Sequence, residues 1–176
     1  MSVASNPAPP GIIGTPAYYQ WRYDDFIARN PNQITPDYYL NYGLKYAQRF
    51  QNETSNRLSS QGKKWIAEVM TNLQTLMGIR LIQPDGATLE RNARALHHFA
   101  FASHVEAYWN ENGTAPLYDL PFSDLLKILF TPDFRDLIRP KSLWQITTIV
   151  CKLSRYRFAQ LFNRAKIVLL SVRRAN

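Results

Sequence analysis

Cysteine is nearly absent from this chain. Cys151 stands alone among 176 residues. An internal disulfide is impossible, and an extracellular disulfide framework is excluded. Glycine is scarce as well, with 7 residues. No phosphate-cradling glycine loop, dinucleotide fingerprint or EF-hand loop occurs, and the Gly-X-Ser-X-Gly turn of serine hydrolases is missing. No apolar run is long enough to cross a bilayer as a helix. The opening MSVASNPAPPG has neither the basic nor the apolar region of a signal peptide. These absences predict a cytoplasmic protein with no cofactor.

Negative charge is missing from one end only. The last acidic residue is Asp136. The first 136 residues carry 12 Lys and Arg against 13 Asp and Glu, a net −1. The final 40 residues carry nine cations and no acid. The whole excess of +8 therefore belongs to the C-terminal segment. Such asymmetry predicts an anionic partner for that end: nucleic acid, lipid headgroups or an acidic protein surface.

Hydrophobic residues make up 45% of the chain, enough at this length to bury a core without staples. Residues 1–14 hold three prolines and two glycines and read as a flexible arm. Ile12 and Ile13 either dock on the body or fray with it. Residues 15–140 read as a helical body, and residues 141–176 as a basic amphipathic helical segment packed on it or projecting from it.

The opening Thr-Pro-X-Tyr-Tyr occurs at Thr15 and again at Thr35, and Thr-Pro returns at Thr131 without the tyrosines. Threonine is a fair N-cap and proline suits the first helical position, so the repeat marks helix starts. The first helix is predicted from Pro16 to Arg29, with Tyr19, Tyr23, Phe26 and Ile27 on one face. The second runs from Pro36 to about Gln51. A third follows Ser-Ser-Gln-Gly, carries Trp65, Ile66, Val69, Met70, Leu73, Leu76 and Met77, and ends near Gly78. Ile79–Ile82 is a helix connector or a very short strand. The fourth runs unbroken from Thr88 to Trp109 with Leu89, Ala93, Leu96, Ala100 and Phe101 buried. A fifth begins at Phe122, a sixth at Thr131, and a long last helical region at Ser142 bends near residues 153–157. Together these predict an all-α fold, an irregular bundle of about six or seven helices.

All three histidines, His97, His98 and His104, lie in HHFAFASH on the fourth helix. His97 and His104 share a face but sit ~10 Å apart along the axis, too far for one metal ion. No pair has the i,i+4 spacing of a helical zinc site, so no metal is expected. An acid–base site is conceivable instead. Glu90, Arg94 and His98 are spaced by four, and Glu90, His97, His104 and Glu111 by seven. A carboxylate beside His98 or His104 would raise its pKa and orient the ring. The same spacing also suits a semi-polar helix edge. Cys151, within an apolar run, reads as a small buried side chain.

Seven of the ten tyrosines fall between Tyr18 and Tyr46. They either pack in the core or present a recognition surface. Tyr18-Tyr19 and Tyr38-Tyr39 cannot all fit one narrow stripe, so Tyr18 and Tyr38 are candidate binding residues at a rim. In the last segment, Phe158, Leu161, Phe162, Ala165, Val168, Leu169 and Val172 fill one helical arc. Arg155, Arg157, Arg164, Lys166 and Arg173 flank it, with Arg174 beyond. Ile167 and Leu170 lie opposite and call for a second contact.

Three function classes follow. The first is a noncatalytic helical interaction protein (an adaptor, chaperone or assembly subunit) with a protein partner or a homo-oligomer. The second is a small helical hydrolase or toxin-like domain using His98 or His104 with a nearby Glu. The third is a module for nucleic acid or anionic membrane.

Overall fold

Among the described residues every regular element is helical. The computed structural model describes residues 4–132, 148–156 and 159. Within them are six α-helices: α1 (Ala17–Arg29), α2 (Lys45–Arg49), α3 (Ser60–Leu81), α4 (Gly86–Arg91), α5 (Ala93–Trp109) and α6 (Phe122–Leu129). Residues 148–156 add a seventh helical stretch. The described residues contain no strand, so the all-α expectation holds and Ile79–Leu81 is the last turn of α3. None of these helices is long and apolar enough to cross a membrane. The expected helix after Thr131 and most of the last helical region lie outside the described residues.

Two of the Thr-Pro pairs do open helices, but not by threonine capping. The helix begins at Ala17 behind Pro16, and no side chain caps it. The Thr15 hydroxyl turns back and donates to the Ile12 carbonyl at 2.8 Å. The helix after Pro36 likewise has no side-chain cap. Proline's fixed φ, already close to helical, provides the start. The side-chain caps are elsewhere: Ser59 Oγ accepts from Gly62 N at 3.1 Å and Asn92 Oδ1 accepts from Ala95 N at 3.0 Å.

The buried side of α1 is Tyr18, Tyr19, Arg22, Asp25 and Phe26. Ile27 is exposed, so the face is rotated from the one expected. An apolar-periodicity reading misses it because two of its members are charged. The Pro-rich arm lies against this face. Arg22 Nη1 donates to Ser5 Oγ at 2.9 Å and to the Asn6 carbonyl at 2.7 Å. Asn6 Nδ2 reaches Asp25 at 2.5 Å, and Ala8 and Ile13 pack on the core. Gly14 N donates to Gln74 Oε1 at 2.6 Å. Of the two outcomes foreseen for the arm, its described part shows docking.

The second helical run is longer and looser than expected. It is π-helical over Tyr38–Leu44, α-helical through α2, π-helical again over Phe50–Thr54 and closes with a 3-10 turn, Ser55–Arg57. Tyr38 and Tyr39, the first two residues of this run, are both buried. Gly43 lies on this run because a Cβ there would sit 2.3 Å from the Tyr19 ring.

α3 is the central rod. It buries Trp65, Ile66, Val69, Met70, Met77 and Leu81. Gly78 is inside its last turn rather than past its end. The glycine permits close approach: a Cβ there would lie 3.3 Å from Arg22 Nη2. The fourth predicted helix is two helices. Asn92 is extended, with φ −94° and ψ 92°, and its side chain starts α5. Leu96 and Ala100 are buried as expected, whereas Ala93 is exposed. α5 ends at Asn110, left-handed at φ 50°, where Asn72 and Glu68 bind its side-chain amide.

α6 rests on the start of α3 through polar contacts. Asp124 accepts from Ser59 N at 3.1 Å and Ser59 Oγ at 2.5 Å. Lys127 donates to the Arg57 carbonyl at 2.6 Å, and Thr131 meets Thr54 at 2.8 Å. Only Asp124 and Ile128 of this helix are fully buried. Leu126 and Phe130 face outward.

Candidate functional site

Between the π-helical Tyr38–Leu44 run, α3 and α5 lies a cavity of about 70 Å³. Its wall is largely aromatic: Tyr19, Tyr38, Tyr42, Tyr46, Phe50, Trp65 and Tyr108, with His104 among them. Val69, Met70 and Leu73 of α3 supply the aliphatic side. The position of each ring follows from local structure. α1 delivers Tyr19, the π register turns Tyr38 and Tyr42 to the same side, and Leu73, His104 and Tyr108 project from facing helices. Burial raises the Tyr19 hydroxyl well above its ordinary pKa, and Tyr38 and Tyr108 move the same way for the same first reason.

His104 is the one histidine in this wall. Its Nδ1 lies 2.5 Å from the Ala100 carbonyl. A carbonyl only accepts, so Nδ1 carries the proton and Nε2 holds the lone pair. Among the described residues no group hydrogen-bonds Nε2. Burial lowers the His104 pKa, partly opposed by the Ala100 bond. The ring is therefore neutral near pH 7.

A pH dependence follows. The unfolded chain protonates a histidine near its ordinary value of about 6.5, above the folded value. Stability from His104 is thus intact above that pH and declines as pH falls toward the folded value. In urea titrations at pH 7.5 and 5.5, the wild type is expected to lose more stability than His104→Gln. Equal losses would show that the imidazole does not titrate against burial.

His98 and Glu90 are not brought together. The break at Asn92 ends the four-residue register that linked them. His98 is exposed. Glu90 is fully buried and both its oxygens are engaged: Tyr39 OH donates to Oε1 at 2.6 Å and Arg29 Nη2 to Oε2 at 2.7 Å. Arg29 also pairs with Asp25 at 2.7 Å. Burial alone would lower Arg29, but the bonds to Asp25 and Glu90 outweigh it and hold the guanidinium above its usual value. Glu90 is a core ion-pair residue joining α4 to α1. His97 instead has Asp37 at 4.0 Å and stacks on Phe101 at 5.1 Å. Glu106 is exposed. Among the described residues no three His, Cys, Asp or Glu side chains are placed to hold a metal ion.

Beside this network lies a second buried cation. Arg22 is fully buried. Its Nε donates to Tyr18 OH at 3.0 Å, while Nη2 has no hydrogen-bond partner among the described residues. The Glu90–Arg29 pair was not legible in the sequence, because it joins segments 61 residues apart in the chain.

The tyrosine pairs belong to the core. Tyr18, Tyr19, Tyr38 and Tyr39 are all buried, so Tyr18 and Tyr38 are not at a surface rim. Edge-to-face contacts connect them, at 5.3 Å for Tyr18–Tyr19 and 6.2 Å for Tyr19–Tyr38.

At the C-terminal side, Arg155 is exposed, and Arg157, Arg164, Lys166, Arg173 and Arg174 lie outside the described residues. Tyr156 anchors the helical stretch 148–156 by packing on Tyr118 at 4.0 Å. Lys152 sits over the Trp109 ring at 5.3 Å. Cys151 is exposed, contrary to its expected burial, because Ile149 rather than Cys151 faces the core.

α6 bears the most prominent apolar feature of the described surface. Phe122, Leu126 and Phe130 are 66%, 39% and 68% exposed. Four-residue spacing stacks them on one face. No family model, curated protein or solved structure matches the chain.

Proposed function

We propose that this chain is a noncatalytic helical interaction protein that engages an acidic protein partner. The observation that supports this reading is the Phe122–Leu126–Phe130 stripe, held outward while the opposite side of α6 is fixed by Asp124 and Lys127. Large exposed apolar side chains aligned on a rigid element are the usual anchors of an interface. The cationic segment begins after Asp136, six residues beyond the stripe. A partner with an apolar groove edged by carboxylates would satisfy both features. Positive charge would speed and orient the encounter, and the aromatic anchors would hold it.

The test compares three full-length proteins as bait under matched conditions: the wild type, Phe122→Ser with Phe130→Ser, and Arg155→Gln with Arg157→Gln and Arg164→Gln. An acidic protein retained by the wild type should fall at least about tenfold on the serine variant. It should also weaken on the glutamine variant and as salt is raised. The serine changes are at exposed positions and should move stability by no more than about 0.5 kcal/mol. Unchanged capture by both variants would overturn the proposal. Retention of nucleic acid with a steep salt dependence, or of anionic vesicles, would replace the protein partner with one of those.

A further inference from the structure

Where α3 and α5 lie side by side they leave an open groove of about 940 Å³. We propose that this groove seats the chain's own last 17 residues, 160–176, which lie outside the described residues. Its carboxylates would meet the cations of that segment, and its half-buried floor the apolar side chains between them.

Charge is the first support. Glu68, Glu106 and Glu111 line the groove, against a single cation, Lys152, among the described lining residues. Among the described residues no cation pairs with any of the three carboxylates. Glu106 and Glu111 are exposed. Glu68 is held by neutral donors: Thr114 N at 3.1 Å, the Thr114 hydroxyl, Asn110 Nδ2 at 2.5 Å and Ala115 N at 3.4 Å. Burial alone would raise its pKa, but these bonds outweigh burial and hold the carboxyl below its ordinary value. Residues 160–176 carry Arg164, Lys166, Arg173 and Arg174 and no acid.

The path of the chain is the second support. The helical stretch 148–156 meets the groove at its Trp109 end. Lys152 lines the groove and lies over the Trp109 ring at 5.3 Å. Tyr156 packs on Tyr118 at 4.0 Å and on Trp109 at 6.3 Å. One cation of the C-terminal region is thus already seated here, and residue 160 follows Tyr156 by four positions. So short a tether keeps the segment at a millimolar effective concentration. That favours it over a second copy or an unrelated basic protein.

The third support is the fit. The groove follows α3 from Ala67 to Leu76, nine residue steps of ~1.5 Å, or ~14 Å. That length takes between two and three turns of helix at ~5.4 Å each. Leu76, Val105 and Trp109 are half-buried along it. In the sequence, Leu161, Phe162, Val168 and Leu169 alternate with the cations. An apolar floor edged by carboxylates is what a basic amphipathic segment requires. A segment seated here has its cations engaged, so an acidic partner must compete for them. This competition rests on the partner proposed for the chain. The docking itself does not, and its failure would leave the α6 stripe as the anchor.

The test uses the full chain with no partner present. In a Cys151→Ser background, Asn163→Cys carries a nitroxide spin label, and methyl NMR reads the broadening it causes. The Leu76 and Val105 methyls should broaden selectively. They should recover at least about half of the lost intensity in ~0.5 M salt. The same recovery is expected at low salt when Glu106→Lys and Glu111→Lys, both at exposed positions, are introduced together. If that variant is not folded by circular dichroism, the salt series on the unreversed chain decides. A mixture of spin-labelled chain with isotope-labelled chain lacking the label should show no broadening in the groove. Broadening there would assign the seat to a second copy and overturn the proposal. So would an absence of selective broadening at Leu76 and Val105, or broadening that survives salt or the charge reversal.

Discussion

Glu90→Ala is expected to cost about 3–5 kcal/mol, the penalty for removing one partner of a buried ion pair. The change strips the Tyr39 hydroxyl of its acceptor and removes one of the two carboxylates paired with the Arg29 guanidinium. Glu90→Gln loses the charge and one of the two acceptors but keeps a carbonyl oxygen for Arg29, and its NH2 can donate to a reoriented Tyr39 hydroxyl, so a smaller cost of about 1–3 kcal/mol is expected. Urea unfolding followed by circular dichroism should rank the wild type above Gln and Gln above Ala. The loss in Glu90→Ala is large against the ~5–15 kcal/mol stability of an ordinary domain. A loss below about 1 kcal/mol for the alanine variant would mean that water enters the site and relieves Arg29. The double change Arg29→Met with Glu90→Met provides the complementary measurement. An apolar pair there should recover part of the deficit.

Trp65→Ala should be of similar size, about 3–5 kcal/mol. The side chain is fully buried and meets the Tyr108 ring edge to face at 5.3 Å. Its indole N–H donates to the Tyr108 carbonyl at 2.9 Å. That carbonyl lies in the last turn of α5, where intrahelical donors run out. Trp65 is thus a packing residue and a C-terminal cap for a neighbouring helix. Trp65→Phe keeps most of the packing and loses the cap, so it should cost clearly less than Ala in the same unfolding assay. Equal losses for Phe and Ala would assign the whole effect to the hydrogen bond.

Some of this molecule is written plainly in its sequence. α3 follows its apolar spacing from Trp65 to Met77 because nearly all of its buried contacts are hydrophobic. α1 begins and ends where expected, yet its inner face was mistaken. Arg22 and Asp25 occupy positions that a hydrophobic wheel assigns to solvent, and their partners come from the arm. The division at Asn92 had a local signal. Asparagine is among the strongest N-caps, but the apolar residues on either side suggested one continuous stripe. The π-helical tyrosine run had no such signal, since a wheel drawn at 3.6 residues per turn cannot represent it. The histidine cluster was visible as a cluster. Its sorting into an exposed His98, a stacked His97 and a cavity-lining His104 depends on which helices pack against α5.

The docked arm bears on how the chain folds as it is made. Residues 5, 6 and 14 leave the ribosome well before α3, yet Gly14 needs Gln74, a partner 60 residues downstream. At roughly 5–20 residues per second, that wait is about 3–12 s. During it the arm has only its partners on α1, Arg22, Asp25 and Arg29, within local reach. The Gly14 end of the arm is therefore secured later than its sequence position suggests, and the nascent chain must stay free of misplaced contacts until α3 has emerged.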